Sequence, residues 1–344
     1  MLSSQILVWL QYLACLAIIL FAGTRLARYG DAIAEKTGLG GLWIGLILLA
    51  AITSVPELVT SISSVALVGL PDLAVGTLMG SCLFNLTLIA LLDFLFRNGP
   101  ILSHVRLRHI ASAAAGIVLI AIAGGSILGG ETLSGVKLAW IGVPGIVILI
   151  LYLVAIRQLF LFERHHPTPP EASSPRYGHL PMKTVYLRFS LAALAVIGAG
   201  IWVSFVGDDI AGTTGWGTSF VGSLFLAIST SMPELVVTVA ALRLGAIDMA
   251  LADILGSNMF NIAIIFAADL FYTDGSILSS VSNSHLITVA MVITASLLVI
   301  IGLRFRRQRK LFRFSSWYSP ALIGLYVLGA YLLFRPGITI GQTS

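Results

Sequence analysis

Between Ile6 and Gly23 the chain is apolar apart from Gln11. Further apolar stretches follow at about 40–68, 73–96, 109–128, 137–156, 184–206, 216–242, 246–272, 285–303 and 318–334. About 20 apolar residues are needed to cross a bilayer core as a helix. Ten membrane helices are therefore predicted, and they use up nearly all of the 344 residues. Only 10% of the residues are charged and 58% are hydrophobic, whereas a soluble domain carries roughly 25% charged residues. The predicted fold class is an all-α integral membrane protein with no separate soluble domain. The first stretch lacks a basic segment before it, since Arg25 and Arg28 follow it, so it reads as a retained span rather than a signal peptide. Cys15 and Cys82 both lie in apolar runs, which indicates neither a disulfide framework nor a paired-cysteine metal site. Trp317, Tyr318 and Tyr331 fall near the ends of segments, where interfacial aromatics are common.

A net charge of +5 in a soluble protein would suggest nucleic acid; here Lys and Arg mark cytoplasmic loops instead. With the N-terminus outside, the first two cytoplasmic loops receive Arg25, Arg28, Lys36, Arg97, Arg106 and Arg108. The next two receive Arg157, Arg164, Arg176, Lys183, Arg188 and Arg243, and the last receives a cluster from Arg304 to Arg313. Only Lys137 and Arg335 of the 20 basic residues remain outside. The predicted setting is a multi-pass protein of the cell membrane with a cytoplasmic central linker. That linker, within 161–183, contains His165, His166 and His179 and is read as solvated chain rather than a metal site.

The linker separates a half at 1–160 from a half at 184–344, and the halves resemble each other. Leu49–Val59 reads LAAITSVPELV and Leu226–Val236 reads LAISTSMPELV, at an offset of 177. Gly80–Asn85 reads GSCLFN and Gly256–Asn261 reads GSNMFN, at an offset of 176. The copies begin in the second and seventh predicted spans. An odd number of spans separates them, so they insert with opposite orientation. Inverted repeats with a site at the repeat interface mark secondary transporters.

Each copy carries a proline inside an apolar span, Pro56 or Pro233, which removes a backbone donor and breaks the helix. An acid follows immediately, Glu57 or Glu234. Carboxylates at membrane depth are costly and are functional by default; a lone buried Glu could instead pin helices together, but two at matching breaks point to a site. Thr53 lies one turn before Glu57; Ser54, Thr230 and Ser231 repeat that arrangement. Ser81 with Asn85, and Ser257 with Asn261, form further same-face pairs. Carboxylate, amide, hydroxyl and freed carbonyl oxygens suit hard cations: Ca²⁺ takes about 6–8 such oxygens. Cys82 is expected to face packing, and Ser61, Ser63 and Ser64 to join helices.

These paired motifs, Ser-x-Pro-Glu followed by Gly-Ser-x-x-x-Asn, resemble the two alpha-repeats of the cation/calcium exchanger superfamily, its sodium/calcium exchanger branch above all. The likeness covers about 40–96 and 216–272. It implies two inverted five-helix repeats and a single alternating-access site that exchanges Na⁺ for Ca²⁺ and exports Ca²⁺. Carried over by position, Glu57 and Glu234 would be carboxylates shared by both ions. Thr53, Ser54, Thr230, Ser231, Ser81 and Ser257 would supply Na⁺ oxygens, the Ala50 and Ala227 carbonyls would help, and Asn85 and Asn261 would complete the centre. The spans near 5–23 and 184–206 would slide to switch access. No cofactor is implied, since Ca²⁺ and Na⁺ are cargo. The partners are these ions and the lipid bilayer, with no nucleic acid and no fixed oligomeric state.

The chain departs from the family's pattern at Ile52 and Ser229, where Gly is frequent, and at Asn261, where several members carry Asp. Asp93, Asp253 and Asp269 are further acids within predicted spans; a path-lining role for Asp253 and a span-end or helix-pairing role for all three stay open. A Ca²⁺/H⁺ antiporter is the alternative, although its relatives usually place Glu where Asn85 and Asn261 stand. An intramembrane enzyme is a remote one: there is no His-Glu-x-x-His motif and no Gly-x-Ser-x-Gly elbow.

Overall fold

The computed structural model describes residues 2–37, 49–130, 132, 136–165, 180–305, 310 and 315–335. The first part of the expected repeat at 40–48 and most of the linker, 166–179, lie outside the described residues. Helix α1 is Leu2–Thr37, α2 Val55–Ala66, α3 Pro71–Leu95, α4 His109–Leu128, α5 Val143–His165 and α6 Met182–Thr214. Then come α7 at Thr218–Thr230, α8 at Met232–Arg243, α9 at Ile247–Phe271, α10 at His285–Arg304 and α11 at Tyr318–Phe334. Among the described residues, seven of these are long and apolar enough to cross a membrane, and α7 with α8 adds an eighth as one bent pair. The α2 and α11 helices are shorter apolar helices.

Two expectations need correction. The stretch at 137–156 does not begin as helix. Lys137–Leu138 and Ile141–Gly142 pair as a two-residue antiparallel hairpin, β1 and β2, and the helix starts at Val143. Ala139 at the hairpin tip has φ of 59°, a left-handed conformation that no helix contains. Tyr318 is not an interfacial aromatic: it is buried, and its hydroxyl donates to the Asp93 carboxylate at 2.9 Å. The helices also overrun the predicted linker from both sides, α5 reaching His165 and α6 starting at Met182.

Both sequence copies break as the prolines require. Residues 49–53 are helical, Ser54 interrupts, and α2 begins with Pro56 in its first turn. In the second copy Ser231 interrupts between α7 and α8, which meet at 44°. Ser54 has φ −86° and ψ 12°, and Ser231 has −85° and 10°, both in the bridge region between helix and strand. Pro56 and Pro233 offer no N–H to the Ile52 and Ser229 carbonyls.

The packing exchanges partners between the halves. Helices α3 and α9 cross at the centre and are the most deeply buried of the seven long helices. Helix α4 packs on α9 as α10 packs on α3, and α6 packs on α2 as α1 packs on α8. Helices α1 and α6 lie along each other. Close approach at the centre depends on Gly80 of α3: a Cβ there would collide with the Ser223 carbonyl oxygen. Ser223 belongs to a π-helical turn, Gly222–Leu226, in the middle of α7. Such turns mostly interrupt α-helices singly and often sit at functional sites.

Candidate cation site between the two copies

The broken segments bring the two glutamates into one buried polar cluster, and each is held by the serine of the other copy. Ser54 Oγ donates to Glu234 Oε1 at 3.0 Å, and Ser231 Oγ donates to Glu57 Oε1 at 2.8 Å. The flanking hydroxyls repeat the exchange. Thr53 Oγ1 meets Ser257 Oγ at 3.5 Å, and Ser81 Oγ meets Thr230 Oγ1 at 3.4 Å. Ser81 also donates to Glu57 Oε1 at 3.3 Å. Glu57, Glu234, Thr53, Ser54, Thr230, Ser231, Ser81, Ser257, Asn85 and Asn261 are all fully buried. Self-complementary contacts of this kind, residue i to j and j to i, are what a two-fold relation between copies produces.

The pocket is built but under-satisfied. Glu57 Oε2, Glu234 Oε2 and both amide atoms of Asn85 and of Asn261 have no hydrogen-bond partner. More than nine-tenths of buried polar groups in folded proteins are partnered. The carboxylate and amide oxygens left open around the two acids offer lone pairs of the kind a cation accepts. Among the described residues no three His, Cys, Asp or Glu side chains converge as a metal cluster. The donors are instead mostly neutral oxygens, as a hard cation prefers. The Ala50 and Ala227 carbonyls are not free: they accept the Ser54 and Ser231 N–H groups at 3.1 and 3.0 Å, and also the Thr53 and Thr230 hydroxyls. A cation there would take the place of the Thr53 and Thr230 hydroxyl donors at those carbonyls. Cys82 faces helix packing as expected, its thiol donating to the Asn258 carbonyl while Asn258 Nδ2 donates to the Cys82 carbonyl. Ser61 and Ser64 are buried without partners, so the helix-joining bonds expected of them are not made.

The other buried acids are occupied differently. Asp93 accepts from Ile101 N, Ser316 N and the hydroxyls of Ser316, Tyr318 and Ser319, all at 2.7–3.0 Å. Lys310 caps the end of α3 by donating to the carbonyls of Asp93 and Phe96. Burial pushes the Lys310 ammonium below its usual pKa, and the negative Asp93 opposes that shift. Asp269 accepts from Ile277 N at 2.6 Å and Gly142 N at 2.7 Å. Asp93 and Asp269 thus tie loops to the ends of α3 and α9.

Sequence reasoning missed a second matched pair. Asp72 accepts from Ser282 N at 2.8 Å and lies 2.9 Å from His285 Nε2; Asp248 accepts from Arg106 N at 2.9 Å and lies 2.8 Å from His109 Nε2. All three positions repeat at an offset of 176. The signal was present in the chain, where Gly99, Ile101, Leu102, Ser103, Val105 and His109 recur as Gly275, Ile277, Leu278, Ser279, Val281 and His285. The likeness between the halves therefore reaches to the starts of α4 and α10.

An acid pair shared between two related halves, enclosed in an apolar helical bundle, defines a membrane transporter for cations. The chain belongs to the sodium/calcium exchanger protein family, whose model matches residues 7–160 and 184–335. It is a multi-pass cation/Ca²⁺ antiporter and not an enzyme. It is 29% identical over 267 residues to the inner membrane protein YrbG of Escherichia coli K12, covering 76% of this chain and 79% of that protein. It is 33% identical over 155 residues to the sodium/calcium exchanger MaX1 of Methanosarcina acetivorans, covering 44% and 41%. Its fold matches a solved sodium-calcium exchanger, NCX_Mj, with a TM-score of 0.61 at 19% identity over 95% of this chain and 98% of the other.

Proposed function

We propose that the chain exchanges Na⁺ for Ca²⁺ by alternating access, with the inward Na⁺ gradient driving Ca²⁺ out of the cell. The observation that carries this reading is the reciprocal pair of bonds, Ser54 to Glu234 and Ser231 to Glu57, with one oxygen of each carboxylate left open. Glu57 and Glu234 are the shared ligands of both ions. Thr53, Ser54, Ser81, Asn85, Thr230, Ser231, Ser257 and Asn261, with the Ala50 and Ala227 carbonyls, complete the oxygen set. Two carboxylates offset the charge of one Ca²⁺. Without a cation they are uncompensated acids at membrane depth, which is costly. The bundle therefore changes sides readily only when loaded, and this penalty couples the two fluxes. Neutral hydroxyl and amide oxygens surround the acids, and among the described residues the histidines partnered to carboxylates stand at the ends of α4 and α10. That supports Na⁺ rather than H⁺ as the driving ion.

The same reading makes ten spans of the helices by counting 49–66 and α11 as crossings. It arranges them as two inverted five-helix halves, 1–160 and 184–344, joined by a cytoplasmic linker, with the N-terminus outside. Helices α1 and α6, which lie along each other and touch both broken segments, form the pair that slides to switch access. No cofactor takes part. The test is Ca²⁺ uptake by vesicles carrying the purified protein. Na⁺-loaded vesicles in Na⁺-free medium take up Ca²⁺, and an imposed pH gradient alone does not. Uptake that ignores Na⁺ and follows the pH gradient makes the protein a Ca²⁺/H⁺ antiporter.

A further inference from the structure

Asp253 lies on α9 one turn before Ser257 and two turns before Asn261, so the three share one helix face. Contact between the Ser257 and Thr53 hydroxyls turns that face toward the pocket. Asp253 is fully buried, and neither of its carboxylate oxygens has a hydrogen-bond partner. Helix α8, which carries Glu234, packs on α9, and Glu234 Oε2 is also unpartnered. The first copy has Thr77 at the matching position, and there the hydroxyl is satisfied by the Leu73 carbonyl at 2.7 Å. The other buried acids of α3 and α9 are all bonded to backbone N–H groups, hydroxyls or histidines. Asp253 alone among these is a buried carboxylate with nothing to hold it, in the one copy that departs from a neutral residue.

An isolated buried carboxylate is strongly disfavoured as the bare anion, so it takes up either a proton or a compensating cation. The two glutamates already balance a divalent ion, so a third negative charge calls for a monovalent one. We propose that Asp253, with Glu234 Oε2 and the Ser257 hydroxyl, forms a Na⁺ subsite beside the central pocket. This rests on the exchange reading above and adds to it a ligand that breaks the equivalence of the two halves. All the donors are hard oxygens, and the nearby Cys82 thiol is engaged with the Asn258 carbonyl. Na⁺ occupancy then depends on Asp253, while Ca²⁺ coordination by Glu57 and Glu234 does not.

The test compares wild type with Asp253→Asn and Asp253→Thr, the second of which installs the residue that the first copy already accommodates. In Na⁺-driven Ca²⁺ uptake both variants lower the Hill coefficient for Na⁺ by about one site. The Ca²⁺ concentration for half-maximal uptake stays within about threefold of wild type, well under the tenfold that one lost ligand energy of about 1.4 kcal/mol produces. The companion measurement needs no transport: the unfolding midpoint of purified protein in NaCl compared with choline chloride at equal ionic strength. The Na⁺-specific rise of wild type shrinks in both variants. A rise that both variants keep in full, or unchanged Na⁺ cooperativity, overturns the subsite and leaves Na⁺/Ca²⁺ exchange standing. A variant that keeps its Na⁺ cooperativity but shifts its acid inhibition makes Asp253 a proton carrier, and the Na⁺ subsite falls. Failure of wild type to exchange at all, with the Na⁺-specific rise reduced in the variants, overturns the exchange reading and keeps the subsite.

Discussion

The acids at the rim and the acids at the centre of this bundle are all carboxyl side chains on the two related segments, yet their surroundings are opposite. Asp93 is fully buried and receives five hydrogen bonds, to both of its oxygens. Asp72 and Asp248 sit in the first turns of α3 and α9 and each meets a histidine and a backbone N–H. At the centre, Glu57 and Glu234 each keep one oxygen without a partner, and Asp253 keeps two. Burial alone therefore does not mark a functional acid. The difference lies in whether the protein itself provides the compensating donors. Where it does, the acid fastens a loop to a helix end; where it withholds them, the proposed exchange assigns that role to a cation.

Replacing the central acids gives the largest expected effect. Glu57→Gln and Glu234→Gln each abolish exchange, a loss of at least about a hundredfold, because each removes half of the charge that holds Ca²⁺. Both variants insert and fold, with unfolding midpoints at or above wild type, since removal of a functional strain commonly stabilises. The measurement is vesicle uptake paired with thermal unfolding of the purified protein. Either variant exchanging near the wild-type rate erases the distinction between centre and rim.

The rim behaves in reverse. Asp93→Ala strands five buried donors, at about 1–3 kcal/mol for a buried group left unpaired, and a total loss of about 3 kcal/mol or more is expected. It appears as a lower unfolding midpoint in detergent, while the folded fraction binds Ca²⁺ with wild-type affinity. A stable Asp93→Ala protein with weakened Ca²⁺ binding would move Asp93 from the rim to the site.

Much of the centre was legible in the chain, because its signals are local. Pro56 and Pro233 dictate a break within two residues of where Ser54 and Ser231 interrupt the helices. The identity of the two motifs brings the acids to matching places. Which serine serves which glutamate was not legible, since Ser54 and Glu234 are 180 residues apart and no local period encodes such a pairing. The π-turn at Gly222–Leu226 was likewise invisible, being a single turn inside a continuous apolar run. The hairpin at 137–142 was hidden by residues apolar enough to read as the start of a span. The Asp–His pairs were present in the chain as a second recurring block, but a search centred on intramembrane acids and prolines passes over loop residues such as His109 and His285.

The central claim is that Ca²⁺ and Na⁺ compete for one pocket lined by the two glutamates. Ca²⁺ binding to the purified wild-type protein, measured by calorimetric titration at rising NaCl with choline chloride holding ionic strength constant, tests it most directly. The account predicts that Na⁺ weakens Ca²⁺ binding steeply and without a plateau, and that Glu57→Gln binds no Ca²⁺ in the same range. Ca²⁺ affinity indifferent to Na⁺, or binding that survives Glu57→Gln, would contradict it.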